Sequence, residues 1–150
     1  MRSTMRLMLA TGALLAANGS AAETAPPRVA MPGPSYEILQ TGSATGAHPT
    51  RADMVSIRYV GRLANGDIFS TSADEGRGTS EFPVKGVVPG FSALVQLMRP
   101  GDQWRFILPA YLAYGAPGRR HIPPEPTLKR DVPPNSDLIF DVELVSITSP

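Results

Sequence analysis

The chain has no cysteine, which excludes disulfides and thiolate metal sites and suits an oxidising compartment, where a stray thiol is a hazard. Histidine is scarce too: His48 and His121 stand alone, without partners at ligand spacing, so neither a metal nor a cofactor is expected. Neither sign of charge dominates. Fourteen Lys and Arg against 13 Asp and Glu leave a formal net charge of +1, which gives no pull toward nucleic acid or an anionic membrane. Asp53, Asp74 and Glu75 lie in or beside loops, and nothing around them makes a catalytic carboxylate pair. No serine has a nucleophile-elbow context, so a serine hydrolase is without support. The apolar run Leu7 to Ala17 is eleven residues long, whereas crossing a bilayer core takes about 20. No membrane span is expected.

What is present begins with that short run. Arg2 and Arg6 precede it, and Gly19-Ser20-Ala21-Ala22 supplies small residues before the first acid, Glu23. This order predicts a secretory signal peptide over residues 1–22, cleaved near Ala22, and export, with the periplasm favoured as destination. No cysteine near that point offers a lipid attachment. The remaining 128 residues, with 12 basic and 13 acidic side chains, suffice for one domain with a modest core. Residues 23–34 carry Pro26, Pro27, Pro32 and Pro34 with little apolar content and read as an extended tether. The folded domain is expected over 35–150. No long helical arm precedes it, so a monomer is the default expectation.

Within the domain, Tyr36 to Leu39 reads as a brief strand closed by the turn-prone stretch Thr41 to Gly46. Met54 to Leu63 alternates apolar and polar residues for most of its length and is the clearest strand of the first half. Asn65-Gly66 signals a tight turn, and Ile68-Phe69 resumes an extended run. Thr71 to Thr79 is polar and reads as a loop. Phe82-Pro83-Val84 suits a sheet edge, since proline removes a ladder donor. Trp104 to Leu108 and Leu138 to Ile147 are further strands. Ser92 to Met98 is the credible helix, ended by Pro100-Gly101. About five strands with one short helix predict an α+β domain in which an antiparallel sheet buries one face against the helix. The concavity left over is a place for a ligand.

Four segments carry a more specific signal. They are Tyr59-Val60-Gly61-Arg62-Leu63-Ala64-Asn65-Gly66-Asp67-Ile68-Phe69; Val87-Val88-Pro89-Gly90-Phe91 running on through Leu94 to Gly101; Pro109-Ala110-Tyr111-Leu112-Ala113-Tyr114-Gly115; and Val132-Pro133-Pro134-Asn135-Ser136-Asp137-Leu138-Ile139-Phe140-Asp141-Val142-Glu143-Leu144. Any one is weak. All four in this order resemble the FKBP-type peptidyl-prolyl cis-trans isomerases, over roughly Tyr36 to Ile147. The resemblance implies a bent antiparallel sheet wrapped around one short α-helix, in agreement with the reading above. It also implies an apolar pocket that speeds rotation of X-Pro bonds in unfolded or exported polypeptides, without a cofactor.

Residue by residue, the likeness places Tyr59, Phe69, Val88, Phe91, Tyr114 and Phe140 at catalytic pocket positions. Ser70, Phe82, Val87 and Val132 fall at substrate-binding ones. It further implies that the Val88 backbone N–H and the Tyr114 hydroxyl bond a ligand's carbonyl oxygens. Ser70 stands where the family often has an acid, and Phe91 where many members have tryptophan. Isomerisation is expected to survive these departures, and macrolide inhibitors to bind less well. The 25 residues between Tyr114 and Phe140 form a longer connection than compact members have. In it, Ile122-Pro123-Pro124 imitates Val132-Pro133-Pro134. The second copy is assigned to the motif because it leads straight into the Phe140 strand. The cations of this loop either bias the protein toward acidic or proline-flanked clients or form a solvated surface, the blander reading being somewhat favoured.

Each aromatic named is, taken singly, more simply a packed core residue; the set, with two tyrosine hydroxyls that need partners, shifts the balance toward a site. Trp104 is assigned to packing. A non-catalytic module that holds proline-containing segments is the alternative to the isomerase, and Ser70 is the residue that keeps it open.

Overall fold

The computed structural model describes residues 31–75, 78–121 and 130–150. The expected signal peptide, most of the tether and the 122–129 part of the long loop lie outside them. Pro32–Pro150 form one compact unit. No described helix is long and apolar enough to cross a membrane.

The alternation in Met54–Leu63 becomes the central strand. Val55, Ile57, Tyr59 and Gly61 point into the core while Arg58 faces out, as the two-residue period of a strand requires. Calling Ser35–Gln40 β1, Met54–Leu63 β2, Ile68–Thr71 β3, Ser80–Pro83 β4, Gln103–Leu108 β5 and Leu138–Thr148 β6, the sheet has six strands. Its order is β1-β5-β6-β2-β3, every pairing is antiparallel, and β4 joins the first half of β2 alongside β3 on the second half. At the β2–β3 turn, Gly66 takes φ +94, and Leu63 N–H reaches Asp67 O at 2.9 Å. This is the tight connection that Asn-Gly predicts.

Among the described residues the α-helix, α1, is Pro89–Val95, beginning three residues before the expected Ser92. Val88 stays extended, and Pro89 starts the helix because its fixed φ and missing N–H suit the first turn. Beyond Val95 the chain tightens: Leu97 N–H bonds Leu94 O at 3.0 Å and Met98 N–H bonds Val95 O at 3.1 Å. The apolar spacing that extended the expected helix to Met98 is real, but its last turn is of the tighter, three-residue kind. The helix buries Phe91, Leu94 and Val95 against β5 and β6, and Phe91 meets Phe106 edge-on at 5.0 Å.

At the sheet edges, the brief strand expected at Tyr36 to Leu39 forms as β1, whereas the Phe82 strand ends early. Every residue of β1 is exposed, so this strand contributes one ring to the fold: Tyr36 stacks on Trp104 at 4.3 Å and 12°. Val84, expected in the Phe82 strand, instead opens a short 3-10 turn over Val84–Gly86. Proline at 83 ends the ladder there, leaving Val84 buried within the turn. A further 3-10 turn, Ser72–Glu75, lies in the expected loop. On the sheet face away from α1, Asp141 sits between Arg105 at 2.7 Å and Arg62 at 3.0 Å.

Candidate active site

Because α1 is short, it covers only part of the sheet. Beside it lies a cavity of about 260 Å³, somewhat below the roughly 300–1,000 Å³ usual for small-molecule sites. Its floor and walls come from seven segments. Ile57 and Tyr59 rise from β2, Phe69 and Ser70 from β3, Phe82 from β4 and Phe140 from β6. The turn ahead of the helix adds Gly86, Val87 and Val88, and α1 itself adds Phe91. Tyr114 and Arg119 close the remaining side from the segment after β5.

The rings interlock around Phe140. It meets Phe69 edge-on at 5.6 Å and Phe91 edge-on at 5.2 Å, and lies tilted against Tyr59 at 6.3 Å. Tyr59 in turn meets Phe82 at 5.9 Å. Such edge-to-face pairs hold both partners in place beyond what burial alone contributes. Gly61, opposite Phe140 in the β2–β6 register, makes room for this arrangement. A Cβ there would fall 2.8 Å from both the Phe69 and Phe140 rings.

Few polar groups interrupt the surface. The Tyr59 hydroxyl and Ser70 Oγ lie 2.7 Å apart in a buried hydrogen bond, and Tyr59 N–H donates to Ser72 Oγ at 3.0 Å. Val88 O accepts from Ser92 N–H at 3.0 Å, whereas the Val88 N–H has no backbone partner among the described residues. Arg119 Nη1 donates to the Tyr114 hydroxyl at 3.4 Å. The chemistry available is therefore that of an apolar receptacle with a few fixed donors.

Of the residues named from sequence, Tyr59, Phe69, Ser70, Phe82, Val87, Val88, Phe91, Tyr114 and Phe140 converge on the cavity. Val132 does not. It is 2% exposed, packed in the core, and its main chain pairs with Arg119 in both directions, at 2.9 and 2.8 Å. That pairing leaves Arg119, not Val132, to line the wall. Trp104 lies on β5, buried and outside the cavity. Three lining residues escaped the sequence reading. Ile57 shares the face of Tyr59 two residues on, so strand parity carried its signal. Gly86 directly precedes the Val87-Val88 motif. Arg119 had none, being one cation among several in a long loop.

A family model described as FKBP-type peptidyl-prolyl cis-trans isomerase matches residues 46–145. The chain is 39% identical over 118 residues to the FKBP-type peptidyl-prolyl cis-trans isomerase FkpA of Aeromonas hydrophila, covering 79% of this chain and 39% of that protein. It is 36% identical over 115 residues to the FKBP-type 22 kDa peptidyl-prolyl cis-trans isomerase of Escherichia coli strain K12, covering 77% and 50%. It thus spans half or less of the length of these two relatives. The crystal structure of FkpA from Escherichia coli superposes with a TM-score of 0.65 at 31% identity, over 78% of this chain and 49% of that one. A peptidyl-prolyl cis-trans isomerase structure from Pseudomonas syringae pv. tomato does so with a TM-score of 0.63 at 30% identity, over 79% and 84%. With the sheet, the helix and the ring-lined cavity, these matches lead to one conclusion: the chain belongs to the FKBP-type peptidyl-prolyl cis-trans isomerase family.

Proposed function

We propose that the protein is a peptidyl-prolyl cis-trans isomerase that accelerates rotation of X-Pro bonds in exported polypeptides, with the cavity around Phe140 as its catalytic pocket. The observation that carries this reading is the convergence of Tyr59, Phe69, Val88, Phe91, Tyr114 and Phe140 on one hollow.

The chemistry asks for little beyond that hollow. Amide resonance opposes rotation with a barrier of about 18–20 kcal/mol, and an X-Pro bond takes on the order of tens to hundreds of seconds to turn. The planar amide holds separated charge that water stabilises; the twisted amide has lost that resonance and is less polar. A pocket that strips water from the bond therefore favours the twisted form over the planar one. A millionfold acceleration requires about 8 kcal/mol, at about 1.4 for each factor of ten. No nucleophile or proton shuttle is needed. In this reading the Val88 N–H and the Tyr114 hydroxyl hold the peptide's carbonyl oxygens, and the rings seat the prolyl side chain.

A protease-coupled assay on a short X-Pro peptide tests the proposal. Faster relaxation of the cis peptide supports it. The Tyr59–Ser70 pair favours a second reading: a neutral hydroxyl stands where the family often has an acid. A module that binds proline-containing segments without turning them would suppress client aggregation yet leave the relaxation rate unchanged, and that result would sink the enzymatic reading. Residues 1–22 complete the proposal as a signal peptide that sends the protein to the periplasm, and the N-terminal mass of the exported protein checks it.

A further inference from the structure

We propose that Arg119 makes this pocket selective for X-Pro bonds flanked by a carboxylate, so that acidic proline segments are its preferred substrates. The inference rests on the isomerase reading of the cavity and names the substrate class.

Among the described residues Arg119 is the one charged side chain in the lining. Ser70 occupies the wall position where the family often carries an acid, and among the described residues no carboxylate lines the cavity to balance the arginine. Among the described residues the ion pairs are Arg58–Glu143, Arg62–Asp141 and Arg105–Asp141, and none includes Arg119. Its neighbours at the wall are neutral. Arg119 Cζ lies 5.6 Å from the Tyr114 ring centroid, and Nη1 donates to the Tyr114 hydroxyl at 3.4 Å. Such contacts orient a guanidinium without cancelling its charge.

The placement is built into the backbone. Gly118 takes φ +66, and a Cβ there would collide with Val132 O. Directly after it, Arg119 N–H donates to Val132 O at 2.9 Å and Val132 N–H donates to Arg119 O at 2.8 Å. Val132 is a core residue, so these two bonds tie the arginine's backbone to the interior. Beyond the lining, Arg120 and Arg130 are exposed, and Arg130 N–H bonds the main chain of Phe69 at 2.8 Å. Asp131 stands nearby, its carboxylate accepting from His121 N–H. A guanidinium fixed at an apolar wall recognises carboxylates through paired hydrogen bonds, and the attraction grows as water is excluded. The carboxylate that the described wall does not offer is then supplied by the substrate. If Arg119 merely covered Tyr114, the charge of the substrate would not matter.

The experiment compares kcat/KM for matched peptides carrying Glu or Gln directly before proline, and directly after it, at low salt and at about 0.5 M salt. At one flank or the other, the wild-type protein should prefer Glu by about three- to tenfold at low salt, and the preference should shrink at high salt. In Arg119→Gln the Glu/Gln ratio should fall to about one, whatever the absolute rate. Arg119→Lys should keep part of it and Arg120→Gln most of it. Arg119→Met, which retains packing over Tyr114, takes the place of the Gln variant should that one not fold. Ratios near one at both flanks of the wild type, or a Glu preference that survives loss of the Arg119 charge, overturn the inference while leaving the isomerase reading standing. If no peptide is turned over, the isomerase reading falls, and calorimetric Kd values for the same peptides decide the selectivity: equal values overturn it, and tighter Glu binding lost in Arg119→Gln supports it.

Discussion

The hydroxyl of Tyr59 and the Oγ of Ser70 share a buried hydrogen bond of 2.7 Å, which joins β2 to β3 at the wall of the cavity. A carboxylate in place of Ser70 would accept the same bond in charge-assisted form, about twice as strong as a neutral one. It would also set a negative charge against the bound amide.

Ser70→Asp is therefore expected to raise kcat/KM on uncharged X-Pro peptides several-fold and to tighten macrolide binding. It should also lower stability by about 1–3 kcal/mol, since an acid replaces a small buried hydroxyl. The same change should weaken any preference for Glu-flanked peptides by giving Arg119 a counter-charge. Peptide assays, inhibitor titration and urea denaturation read these effects. No gain in rate or affinity would discount the position.

Tyr114→Phe removes a hydroxyl from the rim while keeping the ring. Loss of one hydrogen bond to the twisting amide, worth about 0.5–1.5 kcal/mol, predicts a fall in kcat/KM of several-fold with unchanged Tm. Unaltered isomerisation and ligand affinity would remove the hydroxyl from the mechanism.

Gly61→Ala drives a methyl to 2.8 Å from two rings at once. Overpacking of this sort costs about 1–3 kcal/mol. Because the displaced rings are those of Phe69 and Phe140, activity should fall further than the loss of folded protein explains. Urea midpoints and kcat/KM measured on the same preparation separate the two.

Asp141 supplies a pH dependence on the sheet face opposite the pocket. The hydrogen bond from Arg105 is the chief cause holding its carboxyl below the ordinary value of 3.8; partial burial pushes the other way, and the charge of Arg105 together with Arg62 adds to the lowering. A carboxyl depressed in the folded state contributes stability that is full above its unfolded pKa. That contribution is lost as pH falls through the lower folded value. Asp141→Asn should then lower Tm by a few degrees at neutral pH, with the gap to wild type closing below about pH 4. A gap that stays constant down to acid pH would remove the ion pair as its source.

Much of this architecture could be read from the sequence because strand parity is unforgiving. In β2, a slip of one residue would expose Val55, Ile57 and Tyr59 together. The helix was harder. Leu94, Leu97 and Met98 keep an apolar period through a turn that is no longer α-helical, while Val88-Pro89 sets the start by backbone constraint alone. Motif likeness found the rings at the pocket but misplaced Val132, whose apolar character suits core and wall equally. Arg119 was illegible for another reason. Its position follows from the left-handed Gly118 and a two-bond bridge to a residue thirteen positions away, and no local pattern announces such a bridge.

Trp104 is the only tryptophan in the chain, and its ring lies flat against Tyr36 at the β1 border of the sheet, while the cavity is lined by phenylalanines and tyrosines. The protein's tryptophan thus watches the docking of one peripheral strand and not the occupancy of the pocket. Tryptophan-selective emission will report β1 peeling away in unfolding, and will stay dark to a ligand until Phe91→Trp installs a reporter beside it.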